Sequence, residues 1–397
     1  MKNAINTLRI QNFKSIKDVT MQPRRVNLII GQPNVGKSNI LEAMSLLGGM
    51  VYDRDDKLMK QMIRYQQSNQ LFYDNLLHNT VSVTTNRDNC YLCTQPWRST
   101  SAALFMNSEA QRVFEQRVSR VPLIRIGDAS EPKPLTLEEW IEEVIRRDNR
   151  EQKSMPDSAE YGWLEFDSDG KVSSRNSNGF RNASMSIIPY VSVRPYLFVK
   201  GSEVGKNYSL PYLAPPHGDN LKNIIQTYRG LREEVAEMFN KYGLKLLLRM
   251  VSNELEVVKE DGGLIYSYPY SSIADTLQRI IFYLAAIESN DDAVILLEEP
   301  EAHSYPVYVS MLGRRMVESR NNQFFVATHS PYLITEILEQ MLPDEGQASE
   351  LAIFVAYYED YQTKVKQLSD EEVRAIRVDE LDVFYNMSRF IPRPANG

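Results

Sequence analysis

Eight residues, Gly31-Gln32-Pro33-Asn34-Val35-Gly36-Lys37-Ser38, limit what this chain can fold into more than any others. The pattern G-x-x-x-x-G-K-S needs a strand that stops at its first glycine and a helix that starts near its second. Both are legible. Val26-Asn27-Leu28-Ile29-Ile30 is a short apolar run suited to a buried strand. Ser38–Leu47 sets Ile40, Leu41, Met44 and Leu47 on one helical side before Gly48-Gly49 stops it. In that setting the glycines let consecutive backbone N–H groups curl around phosphate oxygens, beside the positive end of the helix. The expected chemistry is ATP binding by Gly31, Asn34, Val35, Gly36, Lys37, Ser38 and Asn39. Lys37 should reach the β- and γ-phosphates, and the Ser38 hydroxyl should hold Mg²⁺.

Two further signals lie far along the chain. Val294-Ile295-Leu296-Leu297-Glu298-Glu299 reads as a buried strand delivering acids to its C-terminal end, where α/β folds place ligands. One carboxylate can join the Mg²⁺ shell and the next can polarise an attacking water. Alternation puts Glu298 and Glu299 on opposite sides of the strand, so their roles should differ. Phe324-Phe325-Val326-Ala327-Thr328-His329-Ser330-Pro331 is a second buried strand, ending in a histidine within a polar turn. An imidazole there can hydrogen-bond the γ-phosphate or the lytic water.

The remaining chain alternates strand-like and helix-like stretches, which gives an α/β class with a substantial parallel component. Helices are expected at Ser108–Arg120, Leu137–Arg150, Leu221–Phe239, Thr276–Glu288 and Val307–Ser319, with a terminal helix opened by the capping-box spacing of Ser369 and Glu372. Thr80–Thr85 and Tyr91–Thr94 read as a hairpin, and the polar stretch Ser168–Asn182 as an exposed mobile loop. The division expected is an ATPase head from 1–50 and 205–397, with a mainly helical inserted subdomain over 51–204.

Composition excludes some classes. The net charge of −7 argues against a protein that coats itself with nucleic acid, although arginine groups such as Arg112, Arg117, Arg120 and Arg125 keep a small basic face possible. Two cysteines in 397 residues suit a reducing compartment. With no long apolar run and no secretory leader, a cytoplasmic protein without membrane contact is expected.

The order Phe13-Lys14-Ser15, glycine loop, Leu-Leu-Glu-Glu-Pro-Glu-Ala-His (296–303) and Ala-Thr-His-Ser-Pro (327–331) resembles the ABC-type ATPases of the RecF/SMC and OLD-like group. The resemblance implies Mg²⁺-dependent ATP hydrolysis in a homodimer or higher assembly, with ATP sandwiched between two heads. It implies that Glu298 takes the magnesium-side acid position, Glu299 the catalytic base and His329 the switch histidine. It also places Lys14 and Ser15 near the nucleotide. The group's signature loop matches Tyr270–Arg279, where Ser271 or Ser272 would contact the γ-phosphate of the partner head. Ile273 stands where that loop has glycine, and a side chain there hinders close backbone approach. Arg64 sits where relatives place an arginine that touches nucleotide or DNA, a plain surface arginine being the other reading. Gln66, Gln67 and Gln95 are equivalent choices for a glutamine that senses Mg²⁺. Cys90-Tyr91-Leu92-Cys93 matches a zinc-hook spacing, but no coiled coil flanks it and it reads as a hairpin strand. Neither SMC-like arms nor the nuclease domain of OLD proteins is expected. The resulting expectation is a sensor or scaffold ATPase of an anti-phage module, acting with a separate effector protein. The second is a RecF-like, DNA-binding repair ATPase.

Overall fold

The computed structural model describes residues 1–48, 59–94, 101–119, 161–178, 192–202, 210–249, 252, 254–379 and 382–392. The chain opens on a hairpin, β1 (Leu8–Phe13) and β2 (Ile16–Met21), then crosses to β3 (Val26–Ile30), whose five residues are all buried. After the glycine loop comes α1 (Lys37–Ser45). Five strands follow: β4 (Val81–Thr85), β5 (Asp88–Thr94), β6 (Ser101–Asn107), β7 (Tyr161–Phe166) and β8 (Val172–Asn178). They extend the opening hairpin into a seven-stranded antiparallel sheet of order β2-β1-β4-β5-β6-β7-β8.

A second sheet is built from β3, β9 (Val193–Tyr196), β13 (Val294–Glu298), β14 (Gln323–Ala327), β15 (Leu351–Glu359) and β16 (Gln362–Gln367). Its order is β16-β15-β3-β14-β13-β9, parallel throughout except for the β15–β16 hairpin. Strands this apolar must be covered on both faces. Leu28, Ile30, Val326 and Leu297 face one core, packed against α3 (Leu221–Thr227), α4 (Arg229–Asn240), α5 (Asp275–Ser289), α6 (Pro306–Glu318) and α7 (Pro331–Met341). Ile29, Phe325 and Leu296, on the alternate face, join Ile40 and Met44 of α1 and Ile10 and Phe13 of β1. The glycine loop and both strand-end motifs therefore emerge at the C-terminal edge of one parallel sheet, sandwiched between helices and a second sheet.

A third, three-stranded sheet, β10 (Leu244–Leu248), β11 (Leu255–Asp261) and β12 (Leu264–Pro269), leads directly into the Tyr270–Ser272 turn and α5. The chain continues through α8 (Asp370–Val378), and the capping box of Ser369 and Glu372 is formed in full.

Several elements differ from the sequence expectations. Among the described residues, the stretch 51–204 supplies β4 to β9 and one helix, α2 (Ser108–Ser119), rather than mostly helix. Ser101–Asn107 is almost wholly buried, so it shows neither helical nor alternating periodicity. The polar run expected as a mobile loop contains β8, which pairs antiparallel with β7. Ladder hydrogen bonds come from the backbone, and polar side chains do not prevent them at a sheet edge. The Leu137–Arg150 helix and residues 179–182 lie outside the described residues. Leu221–Phe239 splits into α3 and α4 at Tyr228, whose backbone is extended and whose hydroxyl donates to Pro211 O at 2.7 Å. No described helix is long and apolar enough to cross a membrane.

Candidate functional site

The loop after β3 is shaped by contacts that only glycine permits. A Cβ on Gly31 would stand 2.3 Å from the carbonyl oxygen of Ala356 on β15. Gly36 has φ +92°, and a Cβ there would stand 2.1 Å from Thr363 Oγ1. Asn34, also in the left-handed region at φ 62°, is exposed at the loop's crest. Val35 is buried and anchors the loop in the α1 core.

Ser15 and Asn39 meet the loop through a directional chain of hydrogen bonds. Thr363 Oγ1 donates to Val35 O at 2.8 Å, which uses its one proton. Ser15 Oγ, 2.6 Å from Thr363 Oγ1, must therefore donate to it, and Asn39 Nδ2 donates to Ser15 Oγ at 2.7 Å. The chain Asn39→Ser15→Thr363→Val35 braces the glycine loop against β16, and each link polarises the next. Thr363 is fully buried and was not foreseen. No local sequence pattern says which strand residue will touch a loop more than 300 positions away.

Lys37 begins α1 and is buried, its Nζ donating to Gly31 O at 3.0 Å and Gln32 O at 2.8 Å. Burial lowers this ammonium to about 8, while the Glu299 and Glu298 carboxylates pull the other way. His329 is also lowered from its usual range, by burial and then by Lys37, with Glu299 opposing. These four side chains are thus close enough to feel one another's charge. His329 Nε2 lies 3.6 Å from Glu299 Oε1, which is too long for a hydrogen bond. Because the imidazole titrates below its ordinary 6.5, this contact is not an ion pair at neutral pH.

Glu299 follows β13 in the left-handed region, φ 42°, a conformation that costs a non-glycine residue about 1–2 kcal/mol. Its N–H donates to Ala327 O at 2.8 Å, which ties the turn to β14. Glu301, which was not singled out, organises the neighbouring turn. Its Oε1 accepts from Thr328 Oγ1 at 2.6 Å and from the His329 N–H at 2.9 Å. Among the described residues its Oε2 has no partner, and burial raises its pKa.

Lys14 and Arg64 both serve acids. Glu42, buried on α1, receives Lys14 Nζ and, at 2.6 Å, Arg64 Nε. Arg64 NH2 then donates to Glu298 Oε1 at 2.7 Å, and Lys14 Nζ donates to Arg64 O at 2.7 Å. Burial works against the Arg64 charge, but Glu42 and Glu298 outweigh it and leave its pKa raised. For Lys14 burial wins, and its pKa is lowered.

Ser271 and Ser272 are exposed, and among the described residues no hydrogen bond joins either to the glycine loop. Ser272 Oγ donates to Pro269 O at 2.7 Å, and Ser271 O accepts from Gln278. Gln66 and Gln67 are engaged with Gln70 around a short 3₁₀ turn, and Gln95 lies outside the described residues. Cys90 and Cys93 are buried on β5, three residues apart and so on opposite faces.

Two stretches of the chain match known protein families. Residues 1–90 match the family described as AAA ATPase domain, and residues 231–335 match AAA domain, putative AbiEii toxin, Type IV TA system. The first match holds the glycine loop, and the second holds the Glu298–Glu299 and His329 turns. Both matches are to ATPase domains, and this chain is a P-loop ATPase. An ATP/GTP phosphatase of Helicobacter pylori (strain ATCC 700392 / 26695) is 22% identical to this ATPase over 372 residues, 90% of this chain and 93% of the relative. Two solved structures align along most of their length. An SMC head bound to the C-winged helix domain of ScpA covers 94% of this chain and 99% of its own, with 16% identity and a TM-score of 0.46. An SMC head with an extended coiled coil, from Pyrococcus furiosus, covers 95% and 98%, with 14% identity and a TM-score of 0.45.

The ATPase hydrolyses ATP. Mg²⁺ beside a triphosphate needs hard oxygen ligands, of which the protein supplies only one or two. The Ser38 hydroxyl at the start of α1 and the Glu298 carboxylate are of that kind. Glu298 already accepts from one cationic group, Arg64, so its carboxylate is set up for positive charge. The residues present fit the ion.

Proposed function

We propose that this ATPase works as a nucleotide-controlled homodimer or higher assembly, in which each site is completed by Ser271 or Ser272 of a second copy. The observation that supports this reading is the split between the two halves of the chemistry. Lys37, Glu298, Glu299 and His329 gather at one sheet edge. Ser271 and Ser272, by contrast, are exposed, and among the described residues no hydrogen bond joins either to the glycine loop.

Within the site, Glu299 accepts the proton of the attacking water, and His329, neutral at physiological pH, hydrogen-bonds the γ-phosphate or that water. Lys37 leaves the Gly31 and Gln32 carbonyls for the β- and γ-phosphates. Ser38 and Glu298 would hold Mg²⁺, which would supply charge neutralisation. Gly31, Asn34, Val35 and Gly36 form the cradle, while Ser15 and Asn39 brace it and Lys14 acts through Glu42. The head comprises 1–50 and 205–397 in this reading, with 51–204 as the insertion.

Complementation between two inactive variants tests the composite site. Lys37→Ala and the double variant Ser271→Ala/Ser272→Ala should each lack turnover. Mixed in equal amounts they should recover about a quarter of wild-type activity, because half the dimers carry one intact site. No recovery, together with an ATP-independent particle mass, would falsify the composite site.

For the biological role, the reading is a sensor or scaffold ATPase of an anti-phage module that acts with a separate effector. The family description naming a type IV toxin system supports it. Plaque counts on cells with and without the gene and its neighbours test it. Salt-sensitive duplex DNA binding that rises with ATP would favour a RecF-like repair role instead.

A further inference from the structure

Arg64 reaches two carboxylates with different freedoms. Its Nε is held by Glu42, which is only 4% exposed, and its NH2 lies on Oε1 of Glu298, while its own side chain is 64% exposed. Glu42 sits four residues after Ser38 on α1, on the same helical face. Its second oxygen is occupied by Lys14, whose Nζ also grips the Arg64 carbonyl. The anchor is therefore buried and doubly tied, whereas the guanidinium itself borders water.

We propose that Arg64 is a displaceable counter-cation for Glu298, positioned by Glu42 and Lys14, and that it must release this carboxylate before a divalent cation binds there. The inference rests on the reading of Glu298 as the cation ligand. A divalent cation and a guanidinium on one carboxylate repel strongly at this range. The exposed Arg64 is the partner free to move, and Glu42 keeps it within reach for its return. Arg64 thus raises the Mg²⁺ concentration the site requires, without touching the nucleotide.

Binding of a fluorescent ATP analogue, titrated in EDTA and across Mg²⁺ concentrations, reads this out apart from hydrolysis. For Arg64→Gln the expected result is an EDTA affinity within about twofold of wild type and a Mg²⁺ half-saturation about tenfold lower, a shift of about 1.4 kcal/mol. Glu42→Gln should act in the same direction. If it does not fold, as a thermal melt would report, Arg64→Gln carries the test on an exposed side chain. Equal losses with and without Mg²⁺ would overturn the proposal in favour of a direct nucleotide contact. An unchanged Mg²⁺ dependence would reduce the network to a structural ion pair. Failure of wild type to bind the analogue, or no loss in Lys37→Ala, would instead sink the underlying nucleotide site.

Discussion

His329 Nε2 stands 3.6 Å from Glu299 Oε1 across the ends of two neighbouring parallel strands. Neither group consumes the other's hydrogen-bonding capacity at that distance, so both remain available to a third molecule beside Lys37. The left-handed backbone of Glu299 supports the same view, since strain of this kind persists where the surroundings enforce it and clusters at working sites.

Glu299→Gln keeps the shape and removes the proton acceptor. Steady-state turnover should fall 10²–10⁴-fold, roughly the share general-base catalysis supplies, while nucleotide affinity stays within a few-fold. Equal turnover in variant and wild type would remove Glu299 from the chemistry. His329→Ala should lose less, because it leaves the proton acceptor in place.

Glu301 acts through the histidine turn. Glu301→Gln preserves one acceptor oxygen, whereas Glu301→Ala strips both Thr328 Oγ1 and the His329 N–H of their partner. The alanine variant should lose about 1–3 kcal/mol of unfolding free energy, as buried donors left unmade do. Its kcat should drop about tenfold with KM unchanged. Glutamine should restore much of the kcat; a variant pair that loses stability alone would make Glu301 merely structural.

The glycine loop, the strand-end acids and the histidine turn were legible because each is a run of adjacent residues whose chemistry follows from its order. Thr363, Glu42 and Glu301 were not, since their roles depend on partners brought near by the sheet. Thr363 meets Val35 only because β16 lies two strands from β3. Glu42 follows no apolar or motif pattern on its helix, and its buried carboxylate is paired by Lys14 and Arg64. The strands β6 to β8 and β12 escaped for a related reason: β6 is buried on both faces and β12 exposed on both, so neither alternates.

Lys37 predicts opposite pH slopes for binding and for stability. Its ammonium titrates near 8 in the folded protein against an ordinary 10.5. Above about pH 8 the nucleotide-free site loses this charge, so phosphate must bind with proton uptake, and affinity should fall up to about tenfold per pH unit. Folding runs the other way. A lysine with a lowered folded pKa penalises the native state below about 8, and that penalty fades as pH rises toward 10.5. Titration calorimetry in two buffers of different ionisation heat measures the uptake, and Lys37→Met should abolish it. A wild-type minus Lys37→Met stability difference that is flat from pH 7 to 10 would contradict the assignment.

The Thr363–Val35 brace makes the last prediction. Thr363→Val keeps the volume but leaves the buried Val35 carbonyl without its donor and breaks the chain from Asn39 and Ser15. The cost should be about 1–3 kcal/mol in a denaturant titration. Because the brace fixes the loop carbonyl next to Gly36, the variant should also bind nucleotide several-fold more weakly with the same Mg²⁺ dependence. Thr363→Ser, which retains the hydroxyl, should recover most of that affinity. Gly36→Ala must fail more severely, since its Cβ would collide with Thr363 Oγ1 at 2.1 Å and its φ of +92° suits no side chain. In the double variant Gly36→Ala/Thr363→Ala the collision with Thr363 is relieved, but Ser15 Oγ at 2.8 Å and the backbone strain remain, so only partial recovery of binding is expected. Full recovery would show that contact with Thr363, and not the conformation of Gly36, dictates the glycine.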